Sequence, residues 1–463
     1  MTMNFLFWLI SCCLAIGSFA HLEDGVASCP PLPDYRKYLP QLPDLGRRLR
    51  ICCPCVGIDG AGHALQTMGC ESSMHNVYDL VDAYREALTS HFQEMGMQVI
   101  QLNLGKKARN ILKVPLKALE KPIDFLVSGP PCPPWAGQGK RQGCKDPRSH
   151  VFMTVISWVA YLIATGGLLG CVLENVVGIT HVTQDGREPV SEKFLRSLRL
   201  HCPSFVWTID RLDLANYLTP QSRVRIFIRG LRKSIAGIVP APLPGWGRRH
   251  LREALAANMP HTPRSAWSAQ QQQNILDSEE LVISEVQKGK LEMDDIVVVP
   301  ADRSHDFELV YESKFSCNVC PTLTTHNNSL IVMSVQDIVR RTEDSSREFF
   351  RKLLLPERLQ LQGFPASLAL RLPENKITFA SGNAYPVPLM IACLFPMIAA
   401  VGNSDVALSA WPPPEELLFG VPSCISKLVR TLASPGRIVD KPKHEKAQRR
   451  AKRKRKRCDI EDF

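Results

Sequence analysis

From residue 49 onwards, short apolar runs alternate with longer stretches whose spacing is typical of helices. The pattern predicts strands at residues 51–56, 98–102, 123–128, 170–173, 206–212 and 225–229. It predicts helices that start near His63 and that occupy residues 82–92 and 151–165. Strands and helices that alternate in this way form a mostly parallel sheet covered on both faces. The predicted fold class is therefore α/β.

The alternation stops between residues 231 and 347. Pro-rich turns, charged stretches and a glutamine run at 270–273 separate short strand-like segments such as 296–299. A helical pattern returns at residue 349, which indicates a second, irregular region inserted into the first domain. The predicted divisions are an apolar segment with a linker at 1–48, the α/β domain at 49–230 and 349–402, the insert at 231–348, and an extension at 403–463.

The chain of 463 residues carries a formal net charge of +11, and most of this charge lies near the C-terminus. Between Arg437 and Arg457 there are twelve Lys or Arg residues and two acids, a local net charge of +10. Clustered Lys and Arg side chains attract polyanions and also form nuclear-import signals. We therefore predict a nuclear protein whose globular part is close to neutral.

Sixteen cysteines are spread over the chain, and two groups of them have spacings that occur in zinc sites. These groups are Cys52-Cys53-Pro54-Cys55 and Cys317-x-x-Cys320, which together offer four zinc ligands. The first group lies in an apolar run that leads into a Gly-rich turn, and a strand-like run follows the second. Both contexts favour buried thiols that pack as small hydrophobic side chains, so we predict no metal site.

Reactive or charged residues stand at the ends of three predicted strands. In the segment Ser-Gly-Pro-Pro-Cys-Pro-Pro-Trp at 128–135, glycine and proline hold Cys132 just after a strand. Glu174 follows the next buried strand, where a carboxyl is costly unless it has a partner or a chemical role. Arg223 and Arg225 lead into a third strand, and their spacing of two residues places both on the same side. Ligands bind at such strand ends in α/β sheets, so this edge is the candidate site.

The order of these motifs resembles that of the cytosine-5 DNA methyltransferase family. The segments that carry the resemblance are Pro131-Cys132, Asp146-Pro147-Arg148, Glu174-Asn175-Val176, Gln221-x-Arg223-x-Arg225, Pro321-Thr322-Leu323-Thr324-Thr325, Arg358-Leu359-Gln360-Leu361-Gln362-Gly363-Phe364-Pro365 and Ser381-Gly382-Asn383-Ala384-Tyr385-Pro386. The resemblance covers about residues 49–400, and the insert stands in the place of the family's target-recognition domain. It implies the Rossmann-like fold of the S-adenosylmethionine-dependent methyltransferases.

The resemblance also implies a covalent mechanism. Cys132 would add as a thiolate to C6 of cytosine, and Glu174 would hold or protonate N3 of the ring. Arg223, together with Arg225, would help to position the base and the cysteine loop and would favour the thiolate. A base in a duplex cannot reach these groups, so the target cytosine must be flipped out of the DNA.

Two further sets of residues follow from the same resemblance. The residues implied in binding S-adenosylmethionine are Gly57, Ile58, Asp59 and Gly60 of a Gly-rich turn, Asp79 for the ribose, Asn103 for the adenine, and Gly382 and Asn383. The residues implied in binding nucleic acid are Gln138, Lys140, Arg141, Arg148, Thr324 and Thr325. Asp59 stands where the family usually has glycine, and Cys55 stands where it has an aromatic residue. These departures favour a weakened affinity for the cofactor.

Two alternatives to an active DNA methyltransferase stay open. A branch of the family uses the same scaffold on tRNA, although the long insert argues against that branch. The altered cofactor loop also fits a catalytically silent, nucleic-acid-binding regulatory member. The oligomeric state is not predicted.

The N-terminus conflicts with a nuclear location. An apolar run at residues 5–20 ends in Ser18-Phe19-Ala20 and resembles a secretory signal with its cleavage site. A real signal or anchor, a buried helix and a wrongly assigned start are the alternatives, so secretory or organelle targeting stays open. The run is too short for a comfortable membrane span, and we expect no stable membrane association. An oxidising compartment does not suit a catalytic thiolate, which favours the nucleus.

Overall fold

The computed structural model describes residues 26–79, 98–100, 110–119, 122–136, 146–165, 167–182, 188–257, 259, 261–262, 266–302, 315–325, 329–341 and 350–404, with five single positions between 80 and 97. The apolar N-terminal run and the basic tail lie outside the described residues. Most of the helix predicted at 82–92 and the Gly-rich loop after Cys132 also lie outside them.

The larger of two sheets has seven strands in the order β3-β2-β1-β4-β5-β7-β6. The strands are β1 (Leu49–Pro54), β2 (Ser72–Tyr78), β3 (Gln98–Ile100), β4 (Phe125–Ser128), β5 (Gly170–Val176), β6 (Phe205–Asp213) and β7 (Val224–Arg232). Neighbouring strands from β3 to β5 are parallel, and β7 runs antiparallel between β5 and β6. This arrangement confirms the predicted α/β class with a mostly parallel sheet. Its order reverses between β1 and β4, the position at which doubly wound sheets bind ligands.

Helices cover both faces of this sheet because successive side chains of a strand point to opposite sides. The helices that pack on it are α1 (Gly60–Thr67), α2 (Ser149–Thr165), α3 (Val190–His201) and, near the C-terminus, α8 (Val387–Gly402). Ile51 and Cys53 of β1 share one core with α1 and α8. Cys52, between them, belongs to the opposite core with α2 and α3. Strand β1 is therefore buried on both sides, as its apolar run predicts.

Strand β2 is absent from the sequence-based prediction. Its residues Ser-Ser-Met-His-Asn-Val-Tyr are mostly polar, yet every one is buried between β1 and β3. The hydroxyl of Ser73 and Nε2 of His75 hydrogen-bond to each other at 2.8 Å, which satisfies two of these polar groups internally. Burial by neighbouring strands outweighs the composition of this segment.

The insert is more regular than its sequence predicts. Its strands β8 (Ile296–Pro300), β9 (Ser316–Cys317) and β10 (Leu330–Ser334) form an antiparallel sheet with β11 (Phe350–Lys352), which follows the predicted end of the insert at residue 348. The strand order is β11-β10-β8-β9. The insert also contains the helices α4 (Ala269–Gln287) and α5 (Val335–Arg341). The glutamine run that we interpreted as irregular forms the first turn of α4. There Ser268 and Gln271 form a capping box, which satisfies the free N–H groups of the helix end.

Three helices follow the insert and return the chain to the larger sheet. They are α6 (Leu355–Gln360), α7 (Glu374–Asn383) and α8, whose residues are nearly all buried. Within the described residues, no single helix has the length and apolar composition needed to cross a membrane, and α7 and α8 meet that test only as a pair bent by 45°.

Candidate active site

Cys132 lies in a tight turn just beyond the carboxyl end of β4. The carbonyl of Cys132 accepts hydrogen bonds from the N–H groups of Trp135 and Ala136, at 2.9 and 3.0 Å. The indole of Trp135 is buried against the rings of Phe152 on α2 and Phe194 on α3. The turn is therefore anchored on the helical layer, while the thiol itself is only half-buried.

Glu174 lies next to this turn because β4 and β5 are adjacent parallel strands. A Cβ atom placed on Gly129 would lie 3.2 Å from Oε2 of Glu174. The side chain of the next residue, Asn175, donates to the carbonyl of Pro130 at 3.3 Å. This hydrogen bond connects the end of β5 to residues 129–132, which we call the nucleophile segment. The structure thus brings together two of the four residues predicted to be catalytic.

Arg225 completes a buried ion pair with the same carboxylate. Nε of Arg225 lies 2.8 Å from Oε1 of Glu174, and both side chains are at least nine-tenths buried. In the antiparallel register, Glu174 stands opposite Phe227, so Arg225 is its diagonal neighbour on the same face. The register of β5 and β7 therefore places Arg225 in contact with the carboxyl group.

Burial and these charges act in opposite directions on both reactive groups. Burial raises the pKa of Glu174, and the charges of Arg225 and Arg223 partly offset that rise. Burial likewise raises the pKa of the Cys132 thiol, against the lowering effect of the same two arginines. Cys132 is therefore a thiol at neutral pH in the free protein. The two arginines supply the positive charge that favours its ionisation.

Arg223 forms no hydrogen bond with Cys132 or Glu174 in the described structure, but its side chain joins three segments of the chain. Its guanidinium is 1% exposed and donates to the carbonyls of Leu323, Gly382 and Ala384, at 2.9, 3.1 and 2.6 Å. Leu323 belongs to the insert, and the other two carbonyls lie at the end of α7. Arg223 therefore positions segments around the site and acts on Cys132 only through its charge.

The Gly-rich turn after β1 adopts backbone conformations that suit close approach of a ligand. Gly57 has a φ of 55°, and a Cβ atom there would meet nothing within 4 Å. Its N–H donates to Oδ2 of Asp79 at 2.9 Å, which fixes that carboxylate beside the turn. Ile58 is buried in the core, and its role in cofactor binding stays a prediction. The turn lies at the switch point of the sheet, next to the end of β4.

Asp59 caps α1 from within this turn. It has a φ of 51°, and its Oδ1 accepts the N–H of Gly62 at 2.9 Å. Its Oδ2 is buried and has no hydrogen-bond partner among the described residues. Burial raises the pKa of Asp59 to about 7, against the lowering effect of the Gly62 and Ala61 N–H groups. A free, buried carboxylate oxygen and an unobstructed backbone fit a polar cofactor such as S-adenosylmethionine.

Tyr385 lies between the nucleophile segment and the start of α1, and the sequence assigned it no role. A Cβ atom on Gly129 would lie 2.6 Å from Cδ1 of its ring, and a Cβ atom on Gly60 would lie 2.8 Å from Cδ2. The ring therefore lies between the nucleophile segment and the start of α1, with its hydroxyl buried and unpartnered among the described residues. Tyr385 belongs to the segment Ser381-Gly382-Asn383-Ala384-Tyr385-Pro386 that carries part of the resemblance, but its position between two glycines depends on the fold.

Gly382 and Asn383 lie at the end of α7 and not in the turn after β1. A Cβ atom on Gly382 would collide with the backbone of Thr324 and Thr325, so this predicted cofactor residue packs against two predicted nucleic-acid residues. Asn383 is exposed, and the two threonines are half-buried. The roles of all four residues stay predictions.

Of the other predicted contacts with nucleic acid, only Arg148 is described. Its side chain is half exposed at the start of α2, and its Nη2 pairs with Asp146 at 2.6 Å. The charge of ionised Cys132 is one of the causes that raise the pKa of Arg148, which places the two side chains near each other. The remaining predicted site residues, Gln138, Lys140, Arg141 and Asn103, lie outside the described residues. No group of three or more His, Cys, Asp or Glu side chains suited to a metal ion occurs in the described part of the chain.

Comparison with known families decides the identity of this site. A family model described as C-5 cytosine-specific DNA methylase matches residues 55–395. This span includes Cys132, Glu174 and the two arginines at 223 and 225. The chain belongs to this family. The predicted resemblance is thereby confirmed, and so is the Rossmann-like methyltransferase fold. Members of the family transfer a methyl group to C5 of cytosine in a nucleic acid, and S-adenosylmethionine is the donor that the family implies.

Curated relatives are similar to this chain at low identity. The Type II methyltransferase M.HaeII of Haemophilus aegyptius is 22% identical over 356 residues, which cover 74% of this chain and 91% of the relative. The Type II methyltransferase M.AquIA of Picosynechococcus is 26% identical over 174 residues, which cover 34% and 68% respectively.

Solved structures also match. The Entamoeba histolytica methyltransferase EhMeth has 12% identity and a TM-score of 0.48, and the match covers 76% of this chain and 98% of that one. A mutant of Spodoptera frugiperda DNMT2 has 16% identity and a TM-score of 0.48, with coverages of 75% and 99%.

Proposed function

We propose that this protein methylates C5 of a cytosine flipped out of DNA, with S-adenosylmethionine as the donor and a covalent bond between Cys132 and C6 of the base. The observation that carries the proposal is the ion pair of Glu174 and Arg225, which lies beside the end of β4. Cys132 follows β4 in the turn just beyond that end. A buried acid, a nucleophile and two fixed positive charges at one sheet edge are the groups that this chemistry needs.

The first step is the addition of Cys132 Sγ to C6. The thiol must lose its proton first, and the charges of Arg225 and Arg223 stabilise the resulting thiolate. The new S–C6 bond uses the electron pair of the thiolate. The electrons of the C5–C6 double bond shift into the ring, which makes C5 nucleophilic.

The shifted electron density reaches N3, and N3 takes a proton from the Glu174 carboxyl group. Because burial raises its pKa, the carboxyl group can hold a proton closer to neutral pH than an exposed glutamate. Arg225 fixes the orientation of the carboxyl group through Oε1, which leaves Oε2 towards the Gly129 segment. A proton on N3 prevents negative charge from accumulating in the ring during the addition.

When bound, S-adenosylmethionine supplies an electrophilic methyl group for C5. Gly57, Asp59, Gly60 and Asp79 would hold it at the switch point, while contacts from Asn103, Gly382 and Asn383 rest on the resemblance alone. After methylation, water accepts the C5 proton, the C5–C6 double bond reforms, and Cys132 leaves C6 as a thiolate with the electron pair of the S–C6 bond. The N3 proton returns to Glu174, so the protein ends the cycle unchanged.

DNA is the proposed polymer for two reasons. The matching family model is described as C-5 cytosine-specific DNA methylase, and the curated relatives are named Type II methyltransferases. The insert is a substantial structure with its own four-stranded sheet, and it contacts the site directly, since the carbonyl of Leu323 accepts a hydrogen bond from Arg223. This contact supports a role for the insert in reading the polymer that surrounds the flipped base.

The test is methyl transfer from tritiated S-adenosylmethionine to duplex DNA and, in parallel, to tRNA. We expect label in DNA with the wild-type protein and none with Cys132→Ala. The half-buried Cys29, which lies outside the site, offers a matched control, and Cys29→Ala should retain activity. Duplexes with 5-fluorocytosine should trap a complex that survives denaturing electrophoresis, because fluorine at C5 blocks the loss of a proton there. Label in tRNA alone, or DNA binding without transfer, would refute the proposal.

We also propose that the basic segment from Arg437 to Arg457 directs the protein to the nucleus. The supporting feature is the local net charge of +10. A fluorescent fusion of the full chain should be nuclear, and deletion of residues 437–457 should abolish this. If deletion of residues 1–20 relocates the protein and deletion of the basic segment does not, the N-terminal run controls targeting instead.

A further inference from the structure

The turn after β1 contains a charged group that the covalent chemistry does not use. Asp59 is 1% exposed. Among the described residues it forms no ion pair, and one of its carboxylate oxygens accepts no hydrogen bond. A buried carboxylate without a partner is costly, and it persists only where the fold or a ligand compensates for it. Its second oxygen is already used to cap α1.

A second unpartnered group lies beside it. The hydroxyl of Tyr385 is buried without a partner among the described residues, and the charge of Asp59 acts on it. The Tyr385 ring is fixed between Gly60 and Gly129, so it cannot turn away to pair elsewhere without displacing one of those segments. Two polar atoms that have no hydrogen-bond partner in the described part of the chain therefore lie near enough to interact electrostatically, between the turn after β1 and the nucleophile segment.

We propose that Asp59 binds the positively charged methionine portion of the methyl donor, with Tyr385 closing the opposite side of the same polar space. The inference rests on the proposed function, because S-adenosylmethionine is the cationic ligand of that reaction. It adds a specificity residue at a position where the family usually has glycine. The donor's sulfonium and ammonium groups both supply the positive charge that a free carboxylate oxygen lacks.

The proposal predicts how donor affinity depends on pH. Burial raises the pKa of Asp59 to about 7, so the carboxyl group is largely neutral at pH 6 and largely ionised at pH 8. The titratable groups coupled to it are Cys53 on β1 and Tyr385 ahead of α8, and burial raises the pKa of both well above this range. Asp79 lies across Gly57, and Glu174 acts on Tyr385 from β5. If only the ionised form of Asp59 binds, affinity rises about tenfold between pH 6 and pH 8.

The experiment is calorimetric titration of the full chain with S-adenosylmethionine at both pH values. Asp59→Asn is the matched variant, because asparagine also caps helices and tolerates a positive φ while it removes the charge. Asp44→Asn, at an exposed turn, controls for the change in net charge. We expect the wild type and Asp44→Asn to bind about tenfold more tightly at pH 8, and Asp59→Asn to bind weakly at both. At pH 7 the wild type should release about half a proton on binding, and Asp59→Asn none.

S-adenosylhomocysteine, which lacks the sulfonium charge, identifies the group that Asp59 binds. An equal pH dependence indicates the ammonium group, and a reduced one indicates the sulfonium group. Equal affinities of wild type and Asp59→Asn at both pH values would overturn the inference while leaving the proposed function intact. No binding of S-adenosylmethionine by any of the proteins at either pH would instead overturn the proposed function.

Discussion

Arg225 and Glu174 form an ion pair of 2.8 Å in which both side chains are at least nine-tenths buried. The attraction within such a pair roughly offsets the cost of removing two charges from water, so the pair itself adds little to stability. Loss of one partner is different, because it leaves the other charge buried alone. The geometry of the site therefore depends on keeping both residues or neither.

Replacement of Arg225 alone should destabilise the protein strongly. We expect Arg225→Met to lower the free energy of unfolding by about 3–5 kcal/mol, because Glu174 then lacks its partner. The double variant Glu174→Gln with Arg225→Met should recover more than half of this loss in urea-unfolding experiments. Both variants should lack methyl transfer, since the double variant regains stability without an acid at N3.

The ion pair of Arg196 with Glu188 is a suitable control for that series, because its arginine side chain is 70% exposed. Arg196→Met should cost less than about 1 kcal/mol. If Arg225→Met costs no more than Arg196→Met, the Glu174 pair does not hold the site together.

Cys132 should react slowly with alkylating reagents at neutral pH. Its pKa is raised by burial, so the thiolate fraction is small at pH 7 and increases as the pH approaches the pKa. The rate of alkylation by iodoacetamide should therefore rise about tenfold per pH unit below that pKa, because the thiolate is the reactive form. Peptide mass spectrometry follows Cys132 separately from the other cysteines.

The variant Arg225→Gln should slow this alkylation further at any given pH, because it removes a charge that lowers the pKa of Cys132. Cys317, on β9 of the insert, serves as an internal reference whose rate should not change. A rate at Cys132 that is constant from pH 7 to pH 9 would show that the free protein already holds the thiolate.

The sequence predicts the catalytic half of this site better than the cofactor half. Cys132 and Glu174 each stand at the end of a clear apolar strand, and parallel topology brings such ends to one edge. The arginines precede or begin β7, and the antiparallel direction of β7 brings its start to the same edge. Tyr385 could not be found in this way, since its contacts with Gly60 and Gly129 join segments more than 250 residues apart in the chain. Strand β2 was missed for a related reason, because its polar residues are buried by neighbours that composition does not reveal.

In the insert, the sequence predicts less regular structure than is present. Its glutamine run lacks an apolar stripe, so periodicity favours irregular structure, yet α4 forms with a complete capping box. Local hydrogen bonds at the helix end and the packing of Ile275 and Val282 against the second sheet stabilise it. The predicted role of Arg223 in positioning the base stays a prediction, and its carbonyl contacts add a link between the insert and the end of α7 that the sequence does not indicate.

Substitution of Arg223 should therefore affect several segments at once. A lysine has one ammonium group and cannot reach the carbonyls of Leu323, Gly382 and Ala384 together. We expect Arg223→Lys to lower the free energy of unfolding by about 2–5 kcal/mol and to weaken DNA binding. Arg232→Lys is the control, since that guanidinium donates to the single carbonyl of Leu168. Unchanged DNA affinity in Arg223→Lys would contradict the proposed link.

Two glycines that contact Tyr385 should respond differently to alanine. At Gly129 the added Cβ atom would lie 2.6 Å from Cδ1 of the tyrosine ring, whereas at Gly60 it would collide with the backbone carbonyl of Tyr385. Both substitutions should destabilise the protein by about 1–3 kcal/mol and reduce donor binding. Tyr385→Val removes the ring but keeps the carbonyl, so it should restore stability to Gly129→Ala and not to Gly60→Ala.

A double-mutant cycle in urea measures this difference directly, because residues in contact show coupling energies of about 0.5–3 kcal/mol. Gly57→Ala is the control for backbone strain alone, since Gly57 also has a positive φ but its added Cβ atom would meet nothing within 4 Å. It should lose about 1 kcal/mol, and Tyr385→Val should not change that loss. Equal rescue at Gly60 and Gly129 would show that the tyrosine ring, and not its backbone, determines the space between the turn after β1 and the nucleophile segment.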